Sequence, residues 1–272
     1  SPKFIALIGS SLIRKVFNNG FIEPVKCVYD RDIRHEKMIR SLPRFTKQYS
    51  RIGNYTFSFP DAQSFLSMRE DIWNKESYFF ESNSPSPFII DCGSNIGISV
   101  IYFKHLFPNS KILAFEPDPE LLSYLSQNLE SNSLGDITII PKAVWTSNTR
   151  LPFLSDGADG GKVANQTTDI FVDTISLNQF LTKRVDMLKM DIEGHELDVL
   201  QSCAENLHNV CNIFIEYHSF KNKKQNLSQI LRLLEINGFR YFLDSAKPRN
   251  RPFTYSSDEL MDLQVNIHAW KN

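Results

Sequence analysis

The sequence predicts an α/β fold in which parallel strands alternate with helices that cover both faces of a sheet. Three apolar segments lead to this prediction, because each is typical of a short buried strand with a helix after it. They are residues 88–92, 111–115 and 185–190. The chain has 272 residues, 42% of them hydrophobic, which suffices for one three-layer domain and a smaller extension.

The first strand, Phe88–Cys92, runs into an Asp-x-Gly-x-x-x-Gly turn that begins at Asp91. Its glycines let backbone pass close to a ligand, and the helix that follows offers free N–H groups. NAD and FAD sites use Gly-x-Gly-x-x-Gly, but Asn95 and Ile98 occupy two of those glycine positions here. Because Asp91 would repel a diphosphate and attract an ammonium group, the turn favours S-adenosylmethionine as ligand.

The second strand, Lys111–Phe115, ends at Glu116, which lies 19 residues after Gly97. This is the place where a βαβ unit positions a carboxylate for the ribose of a nucleoside. Asp118 and Pro119 then begin a helix, as an N-cap acid and a proline at the first helical position. Glu116 could otherwise be a solvated acid at a strand end.

Two further strands end in ionisable side chains. A strand that begins at Val185 places Lys189, Asp191 and Glu193 on one side, and an apolar strand that begins at Asn212 ends with Glu216 and His218. Since ligands of open α/β sheets bind at the carboxyl ends of the strands, these side chains are expected to face the crevice. The alternative interpretation is a buried acid paired with a neighbour and a surface histidine.

The motifs together resemble the FkbM family of S-adenosylmethionine-dependent methyltransferases, over roughly residues 75–220. The resemblance rests on Asp91–Gly97, Phe115–Pro117, Lys189–Glu196 and Ile215–His218. It implies a Rossmann-like, seven-stranded methyltransferase sheet, mostly parallel with an antiparallel final strand, and an N-terminal helical extension. It also implies methyl transfer to a hydroxyl oxygen of a sugar, a glycan or a secondary metabolite. Asn178 departs from the family pattern, which commonly has aspartate there.

The resemblance and the turn chemistry together assign roles to individual residues. The predicted cofactor-binding residues are Asp91, Gly93, Ser94, Asn95, Gly97, Glu116, Pro117, Ala143 and Asp191. The predicted catalytic residues are Asp191, Glu193, Glu216 and His218. We expect Asp191, or else Glu193, to orient the substrate or cofactor, and His218, or failing it Glu216, to accept the hydroxyl proton. The same four side chains could instead bind Mg²⁺, but a metal is not the favoured prediction.

Charge and cysteine content limit the partners and the compartment. The formal net charge of −1 gives no case for nucleic-acid binding, and no apolar run is long enough to span a membrane. Residues 1–51 are nevertheless basic, with 11 Lys or Arg against 4 Asp or Glu, which predicts a solvated helix face or an arm that attracts anions. The four cysteines show no paired spacing and suit reduced thiols in the cytoplasm.

The chain is predicted to divide into an extension, residues 1–82, and a methyltransferase domain, residues 83–272. The boundary is the proline-rich segment Asn83–Pro87, and the extension is predicted to be helical to about residue 50. An apolar stripe runs from Phe4 to Phe17. It is expected to pack on its own domain or against a second subunit in a homo-oligomer. The third alternative is that it contacts a membrane surface.

Two other functions are compatible with the same fold. A catalytically silent domain could bind a cofactor or a partner without turnover, because a fold does not guarantee chemistry. A nicotinamide-dependent oxidoreductase is disfavoured by the absence of its glycine fingerprint. The expected acceptor is a small molecule or a glycan, and its identity is left open because loops and the extension would select it.

Overall fold

The structure is a computed structural model that describes residues 36–271, except 156, 158–159, 164–167, 222, 246–252 and 254–260. Its strands are β1 Gln48–Ile52, β2 Tyr55–Phe59, β3 Phe88–Cys92, β4 Lys111–Phe115, β5 Ile137–Ile140, β6 Ala143–Trp145, β7 Arg150–Leu154, β8 Lys162–Val163, β9 Phe171–Ser176, β10 Val185–Met190, β11 Val210–Phe220, β12 Arg240–Ser245 and β13 Met261–Trp270. Its α-helices are α1 Ala62–Met68, α2 Ile98–Leu106, α3 Pro119–Ser131, α4 Glu196–Ser202 and α5 Leu227–Ile236, and α1 continues as a π-helix over Arg69–Asn74.

The central sheet has seven strands in the order β12-β13-β11-β10-β3-β4-β5. β11, β10, β3, β4 and β5 pair in parallel, whereas β13 runs antiparallel between β11 and β12. The predicted Rossmann-like sheet, mostly parallel with an antiparallel final strand, is therefore confirmed. A smaller sheet, β6-β9-β7-β8, and the hairpin β1-β2 complete the strands of the described residues.

The strand order creates a crevice at the carboxyl edge of β3. This strand pairs with β4 on one side and with β10 on the other. The connection from β3 to β4 and the connection that leads into β10 therefore lie on opposite sides of β3. Ligands bind at such a switch point in open α/β sheets. The topology thus brings together the ends of β3, β4, β10 and β11, which carry the predicted site residues.

Helices cover both faces of the sheet and bury separate cores. On one face, Ile101 and Phe103 of α2 belong to the same core as Ile89 of β3. On the other face, Leu200 of α4 lies in a core with Leu188 of β10. Burial of each such side chain stabilises the folded state by about 1.5 to 3 kcal/mol. The two cores therefore hold the strand ends in place.

The described part of the extension joins the first of these cores. Phe57 of β2 is fully buried there with residues of α2, and the backbone N–H of Ser58 donates to Oδ1 of Asn128 in α3 at 2.7 Å. Residues 36–40 are helical, but the predicted helical region is wrong for Gln48–Ile52, which is a strand. The reason is its antiparallel pairing with β2, which tertiary packing stabilises. The apolar stripe of residues 4–17 lies outside the described residues, and the division at residue 82 stays a prediction.

Within the described ranges, no helix combines the length and the apolar character that a bilayer crossing requires. Cys92, Cys203 and Cys211 are free thiols, and the first two are buried. Cys27 lies outside the described residues. The predicted cytoplasmic location is not tested by these observations.

Candidate active site

A cavity of about 600 Å³ opens at the carboxyl edge of the central sheet. Its volume is within the usual range for sites that take a cofactor together with a small molecule. The predicted site residues in its wall are Gly93, Ser94, Asn95, Glu116, Pro117, Ala143, Asp191, Glu193, Glu216 and His218. Gly97 and Asp91 are the predicted site residues that lie outside this wall. One cavity therefore collects residues from four strand ends and from β6.

The two glycines of the turn are required by close packing. Gly93 has φ +87°, and a Cβ there would overlap the carbonyl oxygen of Asp191 on the neighbouring chain segment. Gly97 has φ +88°, and a Cβ would lie 2.6 Å from Cδ1 of Leu125 in α3. Both φ values are in the left-handed region that glycine adopts without strain. The turn can therefore press against β10 and α3 and leave the cavity open above it.

Asp91 lies beneath the cavity rather than in its wall. The carboxylate is fully buried, accepts a hydrogen bond from Ser99 Oγ at 2.5 Å and lies 3.4 Å from Nζ of Lys189. The sequence predicts that Asp91 meets the ammonium group of the donor, and this stays a prediction; its carboxylate lies outside the cavity wall and contacts Ser99 and Lys189. In this structure, Asp91 holds the turn and an adjacent buried cation.

Lys189 is that cation, and it links β10 to the turn. Its Nζ donates to the carbonyl oxygen of Gly93 at 2.6 Å and lies 3.4 Å from Asp91 and 3.6 Å from Asp191. Burial disfavours the charged ammonium, but the two carboxylates outweigh this and raise the pKa of Lys189. Lys189 thus stays protonated and neutralises the acids at the centre of the crevice.

Glu116 lies just after β4 and lines the cavity. Its two oxygens accept the backbone N–H groups of Asn95, at 2.7 Å, and of Asp118, at 2.9 Å. Burial raises the pKa of Glu116 to about 7, although these two hydrogen bonds favour the charged form. Glu116 therefore connects β4 to the turn and faces the cavity, with Pro117 next to it in the cavity wall.

His218 lies at the centre of an acidic cluster on the opposite wall. Its Nε2 is 3.7 Å from Oε1 of Glu193 and 3.9 Å from Oε1 of Glu216, and its Nδ1 is 3.4 Å from Oε1 of Glu196. The side chain is only 2% exposed. Burial alone would lower the pKa of His218, but the hydrogen bond of Glu196 and the charges of Glu193 and Asp191 raise it to about 10. The surrounding acids therefore favour the protonated form of His218.

The carboxyl groups of this cluster hold their protons unusually tightly. Burial raises the pKa of Glu193 to about 8. The charge of His218 lowers this pKa, whereas nearby acids raise it further, and Asp191 has the largest effect among those acids. Burial, with a further contribution from the charge of Asp191, raises the pKa of Glu216 to about 7. The side-chain amide of Gln264 donates a hydrogen bond to Glu216, which lowers this pKa. Both groups consequently titrate near neutral pH, which suits general acid–base catalysis.

A divalent cation is the other ligand that this cluster could accept. One ligand atom each of Asp191, Glu193 and His218 lies within 4.8 Å of the others. Mg²⁺ prefers an octahedron of oxygens, however, and this group offers a ring nitrogen beside two carboxylates. Mg²⁺ therefore stays a possible ligand that is not the favoured prediction.

The comparisons with known proteins agree with this architecture. The sequence matches the family described as "Methyltransferase FkbM domain" over residues 91–241, which include every predicted site residue. The chain belongs to the FkbM methyltransferase family. The extension before residue 91 is not part of the match.

Two fungal relatives of this FkbM chain are methyltransferases by name. "Methyltransferase 1" of Beauveria bassiana is 29% identical, in an alignment that covers 56% of this chain and 72% of the relative. "Methyltransferase sdnD" of Sordaria araneosa is 28% identical, in an alignment that covers 72% of this chain and 89% of the relative.

A solved structure shows the same fold. The crystal structure of "Methyltransferase FkbM" from Methylobacillus flagellatus aligns with a TM-score of 0.50 and 16% identity. The alignment covers 88% of this chain and 59% of that chain. At this identity the likeness establishes the fold and not the activity.

Sequence reasoning on the FkbM motifs missed several residues of the site. Trp145 and His195 both line the cavity, with ring centroids 4.5 Å apart and planes at 63°. Gln264 reaches the site from β13, far along the chain, and no sequence signal marks it. Lys189 shares a strand side with Asp191 in the sequence pattern but was given no role, and Glu196 lies inside the segment Lys189–Glu196.

The family departure at Asn178 lies away from the cavity. Oδ1 of Asn178 accepts a hydrogen bond from Nδ2 of Asn206 at 2.8 Å, which joins two short 3₁₀ segments. Asn178 is not part of the cavity wall. In this chain the asparagine therefore supports the fold behind the site.

Proposed function

We propose that this FkbM-family protein transfers the methyl group of S-adenosylmethionine to a hydroxyl oxygen of a sugar, a glycan or a secondary metabolite. The single observation that supports this proposal best is the position of the acidic cluster. Asp191, Glu193, Glu216 and His218 face the same cavity as the glycine turn and Glu116. A donor held by the turn would thus meet groups able to accept a proton.

The name of one further relative specifies oxygen as the acceptor atom, and the name of another specifies a sugar acid as the acceptor. "2-O-methyltransferase NoeI" of Sinorhizobium fredii is 26% identical and covers 49% of this chain and 64% of that relative. "Hexuronic acid methyltransferase AglP" of Haloferax volcanii is 26% identical and covers 47% of this chain and 55% of that relative. A carbohydrate hydroxyl is therefore the first acceptor class to test.

The donor would lie across the turn. Glu116 is proposed to accept hydrogen bonds from the ribose hydroxyls, and Ala143 to border the adenine through its backbone. Gly93, Ser94 and Asn95 would contact the methionyl end, while Gly97 and Asp91 hold the turn from below. The bound donor supplies an electrophilic methyl group on a sulfonium, which is already a good leaving group.

Catalysis then requires alignment and the removal of a proton. Alignment of acceptor oxygen, methyl carbon and sulfur can lower the barrier by about 7 to 11 kcal/mol, whereas a positioned base adds about 10² to 10⁴ in rate. Asp191 is proposed to orient the acceptor. Because the surrounding acids favour the protonated form of His218, we assign the base to Glu216 and let His218 stabilise the charges around it.

The experiment is methyl transfer measured with S-adenosyl[methyl-¹⁴C]methionine and a panel of glycosides that includes a hexuronic acid and a neutral hexose. Wild type is expected to label an acceptor with a rate that rises with pH through about 7, the pKa of Glu216. Glu216→Gln should remove that rise and most of the activity.

Calorimetry with the donor and with NAD separates the remaining functions. Binding of S-adenosylmethionine without any labelled product would favour a silent binding protein. Binding of NAD instead of the donor would contradict the proposal.

A further inference from the structure

A buried carboxylate, that of Glu196, lies behind the site and has no role in the proposed methyl transfer. Glu196 begins α4 and is 2% exposed. Its Oε1 accepts the backbone N–H of Gly194 at 2.9 Å and lies 3.4 Å from Nδ1 of His218. One oxygen atom thus ties the loop after β10 to the imidazole on β11.

The backbone before Glu196 directs this contact. Glu193 has φ +59° and Gly194 has φ +97°, so the chain turns sharply between β10 and α4. A Cβ at Gly194 would lie 2.7 Å from the ring of Phe220. The tight turn aims Glu193 into the cavity and leaves Glu196 on the far side of the imidazole.

The two ring nitrogens of His218 therefore have different surroundings. Nδ1 faces Glu196, which is away from the cavity wall, and Nε2 faces Glu193, Glu216 and, at 3.4 Å, Nε2 of Gln264. A hydrogen bond on one ring nitrogen determines which nitrogen is presented to a ligand. The contact with Glu196 thus fixes which edge of the ring faces the acceptor.

We propose that Glu196 is a positioning residue that holds His218 with Nδ1 turned inward and Nε2 turned toward the acceptor hydroxyl. The inference rests on the proposed function, because it adds a residue to the same site. Glu196 is not part of the cavity wall and acts through His218, which is. A histidine without this anchor could rotate, and a displacement of about 1 Å in such a group can lower a rate by about 10²-fold.

The charges around His218 define the expected shift. The groups that face the ring are Asp191 and Glu193 from the segment after β10, Glu196 from α4, Glu216 from β11 and the neutral Gln264 from β13. Removal of one nearby opposite charge lowers a pKa by about 1 to 3 units. Glu196→Gln keeps an oxygen for the N–H of Gly194 but removes the charge, so it should lower the pKa of His218 by that amount.

The experiment compares wild type, Glu196→Gln, Glu196→Ala and the control Glu205→Gln. Glu205 is an exposed carboxylate in the segment after α4 and has no contact with His218. NMR of ¹³C,¹⁵N-labelled histidine gives the pKa and the protonated nitrogens of the ring, with His218→Asn to assign the signal. Calorimetry gives donor affinity, and the glycoside assay gives kcat and KM.

The proposal predicts a lower His218 pKa in Glu196→Gln, about 10²-fold lower kcat, unchanged donor affinity and no effect of Glu205→Gln. A purely structural role would lower the melting temperature and leave kcat unchanged in folded Glu196→Gln, which would overturn the proposal. In the His218→Asn background, Glu196→Gln should have no further effect on kcat, and an undiminished effect there would also overturn it. If wild type methylates nothing, the proposed function fails, while the ring signals still decide the role of Glu196.

Discussion

Replacement of Lys189 by methionine tests the centre of the crevice most directly. The lysine side chain is 3% exposed, and its Nζ lies 3.4 Å from an Asp91 carboxylate that is fully buried. Methionine has a similar volume but no charge, so Asp91 would keep only the hydroxyl of Ser99 as a side-chain hydrogen-bond partner. Loss of one member of a buried ion pair costs about 3 to 5 kcal/mol, and we expect Lys189→Met to lower the free energy of unfolding by that amount.

The assay is equilibrium unfolding in guanidinium chloride, followed by fluorescence and circular dichroism. A second variant, Lys189→Met with Asp91→Asn, removes both charges and keeps an acceptor for Ser99, so it should recover much of the lost stability. Lys111→Met is the control, because Lys111 is exposed on β4 and should change stability by less than about 0.5 kcal/mol. A double variant no more stable than Lys189→Met would refute the buried-pair reasoning.

Three further outcomes are expected. Glu116→Gln should weaken binding of S-adenosylmethionine by about 10- to 100-fold in calorimetry, because two charge-assisted hydrogen bonds become neutral ones, and unchanged affinity would contradict the ribose assignment. The raised pKa of His218 stabilises the folded protein. This stabilisation is complete below the pKa of the unfolded state, about 6.5, and is lost as pH rises toward about 10. The melting temperatures of wild type and His218→Asn should therefore converge over that window. Dialysis against a chelator should leave the glycoside-methylating rate unchanged, whereas restoration by added Mg²⁺ would show that the acidic cluster binds metal.

Local sequence was sufficient for the elements that lead to the site. The strand, glycine turn and helix around Asp91 follow from residue types within about a dozen positions, because glycine, N-cap residues and apolar periodicity act over short distances. The same is true of Glu116 at the end of β4 and of Asp191 after β10. Since parallel strands present their carboxyl ends at one edge, their convergence could also be predicted.

The charge states of the site could not be predicted in the same way. The pKa of His218 depends on Glu193 and Glu196 from another segment, whose charge and hydrogen bonding outweigh burial and raise it to about 10. Gln264 approaches from β13, 46 positions after His218. Such contacts involve residues that are distant in sequence, so no local pattern encodes them.

The sequence by itself determined the α/β class, the family and the strand ends that carry the ionisable side chains, because these depend on local propensity and on short motifs. Tertiary structure alone decided which of those side chains are buried against each other. It placed Asp91 beneath the turn with Lys189 and surrounded His218 with acids. The physical reason is that desolvation and charge pairing depend on distances of a few ångströms between segments, and only the packed fold sets those distances.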